Sequence, residues 1–173
     1  MKFSVAILFA AVASAGTINR RGVATDTVND IYNNVYLLRK GIDKGAPTQA
    51  SVDKFFKDFF ARMAVDSKTL QGLPSAERDE ASLVQLAHDY PAIGTTIQLA
   101  VEGNKALQCY MVQDLLVHTR AVFSNLAAFI HDSVAKVHHE AITSQAADLD
   151  EILSDALNGC ASSSRSTIRP IQA

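Results

Sequence analysis

None of the short motifs that carry common catalytic chemistry occurs in this 173-residue sequence. There is no His-Glu-x-x-His, no Gly-x-Ser-x-Gly nucleophile turn and no phosphate-cradling glycine loop. Strand-like alternation of apolar and polar residues is also missing, which excludes a sheet-based fold. Basic residues do not cluster: 16 Lys and Arg face 18 Asp and Glu. Nucleic acid or anionic membrane as the main partner is thereby disfavoured, since either needs a basic patch. Cysteine is scarce, with only Cys109 and Cys160, and neither has a second cysteine or histidine at metal-ligand spacing. No Asn-x-Ser/Thr sequon is present, and the polar C-terminal stretch carries no lipid-anchor signal.

What is present starts at the N-terminus. Lys2 is followed by an apolar run from Phe3 to Val12, broken only by Ser4, and then by the small residues Ala13-Ser14-Ala15. A bilayer span needs about 20 apolar residues, so residues 1–15 read as a cleaved secretory signal. Arg20-Arg21 reads either as a dibasic processing site, making 16–21 a short propeptide, or as two exposed arginines. Cleavage there would remove Lys2, Arg20 and Arg21 and leave the mature chain more acidic. In an oxidising compartment Cys109 and Cys160 read as one disulfide, worth roughly 4 kcal/mol by loop closure; two buried thiols are the other reading. The expected location is extracellular or cell-wall.

From residue 25 onward the apolar spacing is helical. Val28, Ile31, Val35, Leu38 and Ile42 draw one seam, with Thr25 or Asp26 as its cap. A second helix opens near Thr48 or Ser51 and runs through Val52, Phe56, Phe59 and Met63 to Gly72. Ser75 is placed as the cap of a short third helix carrying Leu83, Leu86 and Ala87. Tyr90-Pro91 opens a fourth, since proline is tolerated in a first helical turn. The fifth is expected to run from Val112 through Leu116, Thr119, Phe123, Leu126 and Ile130 to Val134 and Val137. The sixth uses Ile142, Ala146, Leu149, Leu153 and Ala156, with Gly159 as its stop. The expectation is all-α: an antiparallel bundle of five or six helices with one disulfide over 22–160, and a disordered tail over 161–173.

Phe55, Phe56, Phe59 and Phe60 form the densest aromatic cluster. At roughly 100° per residue they cover about 140° of one helix. That arc reads as core packing or, being wide, as the lining of a lipid cavity. The candidate apolar lining is Phe55, Phe56, Phe59, Phe60, Met63, Phe123, Leu126 and Ile130. The histidines His88, His118, His131, His138 and His139 complete no metal site, although Asp114 and His118 share a helix face and His131 and His138 stand two turns apart. Asp148, Asp150, Glu151 and Asp155 read as a solvated acidic face. No catalytic residue, metal or cofactor is expected, and the chain reads as a non-enzyme.

The layout resembles the secreted hydrophobic surface binding protein A family, which includes cell-wall galactomannoproteins of filamentous fungi. The likeness runs from about Asp26 to Cys160. It is carried by Thr25-Asp26-Thr27-Val28-Asn29-Asp30-Ile31 as an opening helix and by the Tyr90-Pro91 break. Further on it is carried by Leu115-Leu116 leading to Phe123, Ala127, Ala128 and Val134, and by Ala147-Asp148-Leu149 with Leu157. The resemblance implies a non-enzymatic protein that adsorbs to hydrophobic surfaces or holds fatty-acid-like ligands within a helical bundle, without transferring any single contact residue. The competing expectation is a secreted protein-interaction module, an inhibitor or effector with a fully packed core and an extracellular protein partner.

Overall fold

A computed structural model describes residues 22–43, 49–103 and 107–165. The signal segment, Arg20-Arg21 and residues 166–173 lie outside the described residues. Among the described residues there are six α-helices and no strand: α1 (Val23–Asp43), α2 (Gln49–Gly72), α3 (Glu80–His88), α4 (Tyr90–Gly103), α5 (Cys109–Ser133) and α6 (His139–Arg165). Two 3₁₀ turns, Ser75–Glu77 and Lys136–His138, precede α3 and α6.

Periodicity explains the packing. The five seam residues of α1 are all buried, joined by Ala24 and the polar Thr27 and Asn34. Helix α1 packs on α2 and α4, α4 on α6, α6 on α5, and α5 on α2, so five helices close a ring around one core. The short α3 touches α1, α4, α5 and α6. It sits at the end of the bundle where α1 starts and α5 turns into α6. There Thr25 donates to Asp79 at 2.9 Å, and the Ala135 amide donates to Glu80 at 2.7 Å. At the other end Cys109, opening α5, is bonded to Cys160 in α6, with Cα atoms 5.5 Å apart.

Several local expectations are revised. Thr25 does not cap α1, which begins two residues earlier; its hydroxyl is spent on Asp79 and Ser82 of the next layer. Ser75 opens a 3₁₀ turn, and α3 starts after Asp79. Helix α5 ends at Ser133, because Val134 is extended at φ −118° and ψ 166°. Val137 is consequently 80% exposed instead of continuing the apolar seam. Arg78, which donates to Ser133, and Glu80, which accepts from Ala135, hold this reversal in place. Gly159 does not stop α6, which continues to Arg165. One glycine costs a helix only about 1 kcal/mol, and the neighbouring Cys160 cross-link anchors that turn.

Candidate functional site

The phenylalanine cluster of α2 is graded by position. Phe56 and Phe59, at the centre of the arc, are buried, and Phe55 and Phe60 on its flanks are half-buried. The Phe55 ring lies where a side chain at Gly41 of α1 would stand: a Cβ added there would come within 2.9 Å of it. On the opposite flank the Phe60 ring meets Phe59 and His118 of α5, each at 5.3 Å between centroids. The width of the arc thus reflects α2 packing between two neighbours, with one flank against α1 and the other against α5. Met63, Leu126 and Ile130 are buried in the same core.

A concavity opens elsewhere. A groove of about 310 Å³ lies between the start of α4 and the facing sides of α5 and α6. Of the eight predicted lining residues, Phe123 alone is on it. Its floor is Tyr90, Phe123 and Leu149, with the small side chains Ala127 and Ala146 leaving the space. The Tyr90 and Phe123 rings meet edge to face at 5.4 Å. Arg120, Ser124 and Asp150 form the polar part of the rim.

Arg120 is joined to Asp150 as a two-pronged fork: Nε donates to Oδ1 at 2.6 Å and Nη2 to Oδ2 at 2.8 Å. That bond holds the guanidinium in its charged form, raising its pKa further. A guanidinium has five N–H donors, so Nη1 keeps both of its own without a protein partner among the described residues. Tyr90 contributes the opposite situation. It is fully buried, its hydroxyl has no hydrogen-bond partner, and burial pushes its pKa well up. Thr119, one turn before Phe123 on α5, holds a second buried hydroxyl without a partner.

Nothing in the sequence marks Arg120, and the signals at Tyr90 and Ala146 are those of a helix start and a helix seam. Asp150 lies on the expected exposed acidic face of α6 and is also the residue that Arg120 claims. The histidines are spread out. His118 pairs with Asp114 at 3.3 Å on the surface. His131 stacks on His139 at 3.7 Å between rings, because the chain turns after Ser133 and ends the helix that would have aligned it with His138. Among the described residues, no group of three or more His, Cys, Asp or Glu could hold a metal ion. Nor is any helix there long and apolar enough to cross a membrane.

No family model and no curated protein sequence matches the chain. Among solved structures, the crystal structure of AfMP4p in complex with palmitic acid is similar, with a TM-score of 0.59 at 13% identity. The match covers 78% of this chain and 95% of that one. At that identity the likeness establishes a shared helical fold.

Proposed function

We propose that this chain is a secreted, non-enzymatic helical protein that binds fatty-acid-like lipids or hydrophobic surfaces, in or near a cell wall. The observation that carries the reading is the apolar groove between α4, α5 and α6, in a fold shared with a protein crystallised with palmitic acid. Its volume lies at the small end of the roughly 300–1,000 Å³ typical of ligand pockets, which suits one alkyl chain. The resemblance to the hydrophobic surface binding family supports the same reading, and so does the apolar leader for secretion.

Native mass spectrometry of the secreted protein, followed by titration with palmitic acid and with hydrophobic beads, tests it. Retained lipid or saturable uptake is the expected result. A protein that takes up neither ligand nor beads refutes the proposal and returns the bundle to the interaction-module reading.

A further inference from the structure

The groove is polarised along its length. Arg120 and Ala127 are two turns apart on α5, about 10 Å along the axis. On antiparallel α6, Asp150 and Ala146 are one turn apart in the matching order. One end therefore carries the Arg120–Asp150 fork with Ser124 one turn further on, and the other is walled by Ala127 and Ala146, with Phe123 and Leu149 in the floor. A ligand with one polar end and one alkyl end has a single favourable orientation in such a site.

Resting on the lipid reading above, we infer that the groove seats a single-chain carboxylate with its headgroup on Nη1 and Nη2 of Arg120 and its chain toward Ala127 and Ala146. With Nε and one N–H of Nη2 spent on Asp150, an N–H of Nη1 and the second N–H of Nη2 remain side by side as a charge-assisted donor pair for a carboxylate. Asp150 has two opposing effects. Its fork holds the guanidinium at the rim in one orientation, so little ordering is left for the ligand to induce. Its charge also repels a second carboxylate, but at greater distance than the guanidinium that the headgroup touches directly. The remaining acids of α6 near it, Asp148, Glu151 and Asp155, are exposed and screened by salt. Arg120 itself is partly exposed, so the headgroup stays at the water boundary and no charge has to be buried unpaired.

The test compares decanoate with decanol, which share a chain and differ in the headgroup, by calorimetric titration of the intact protein. Wild type is expected to bind decanoate more tightly than decanol. Arg120→Met should weaken decanoate about tenfold or more and leave decanol nearly unchanged. Ala146→Leu should weaken both ligands by filling the groove, with the helical circular dichroism retained. If both ligands bind wild type alike and Arg120→Met changes neither, the headgroup assignment is overturned while lipid binding stands. If decanoate binding survives Ala146→Leu unchanged, the groove is not the site. If neither ligand binds wild type, the lipid reading fails as well.

Discussion

The side-chain amide of Asn34 donates to Oδ2 of Asp66 at 2.6 Å, a buried bond that joins α1 to α2 inside the bundle. Burial holds the Asp66 carboxyl above the usual range, reinforced by repulsion from Asp30 and opposed by Asn34 and Arg62. A raised carboxyl pKa means that the folded state binds the proton more tightly than the unfolded chain. This group's contribution is therefore most favourable in acid, and it declines as pH rises from the unfolded toward the folded value. Asp66→Asn keeps an acceptor for Asn34 and removes the titration. The variant should be more stable than the parent near neutral pH, with the gap closing below about pH 4. Thermal melts across that interval check this, and parallel curves for the two proteins count against it.

Tyr90→Phe removes a hydroxyl that has no partner and keeps the ring contact with Phe123. Burying an unpaired hydroxyl costs about 1–3 kcal/mol, so the unliganded variant should gain on the order of 1 kcal/mol. Denaturant unfolding measures the change. A loss of stability instead would mean that an ordered water serves this hydroxyl.

The two central phenylalanines of α2 and the two flanking ones should separate clearly. Phe59 is 0% exposed, so Phe59→Ala should cost about 3–5 kcal/mol. Phe55 is half-buried at the α1 contact, and its alanine variant should cost less than half as much. Equal losses in urea unfolding would contradict the graded burial of the arc.

Gly94 lies inside α4, where a Cβ would meet Cγ2 of Ile152 on α6 at 3.4 Å, an ordinary van der Waals contact. Gly94→Ala should therefore stabilise the protein by about 0.5–1 kcal/mol through helix propensity, without a clash. A lowered melting temperature would show that α4 and α6 pack more tightly than this distance implies.

Replacing both Cys109 and Cys160 with serine opens a cross-link between residues 51 apart. The expected loss is about 2–4 kcal/mol with the helical content kept, because the disulfide acts mainly on the unfolded chain. Reduction of the parent protein should lower its melting temperature to match, and an unaffected melt would refute the assignment.

Helix content and most of the core were legible in the sequence, because an apolar residue every third or fourth position is a local property of the chain. The seam of α1 and the apolar face of α5 as far as Ile130 lie where that spacing puts them. The pairing of Cys109 with Cys160 was legible too, since two cysteines leave one intramolecular choice. Element ends were less so. Val134 and Val137 keep the helical spacing, yet the chain turns after Ser133 because Arg78 and Glu80 arrive from another layer.

The groove was decided by tertiary structure alone. The aromatic cluster drew attention to α2, but its width comes from packing between α1 and α5. The groove lies elsewhere, where Ala127 and Ala146 on antiparallel helices line a concavity with Phe123. Arg120 and Asp150 stand 30 residues apart, and nothing in their local sequence pairs them. Their meeting depends on the register of α5 against α6, which is set by side-chain interdigitation along both helices and by the cross-link at one end. Periodicity shows which face of a helix is turned inward; which inward faces fail to fill the space between them depends on the volumes of residues far apart in the chain.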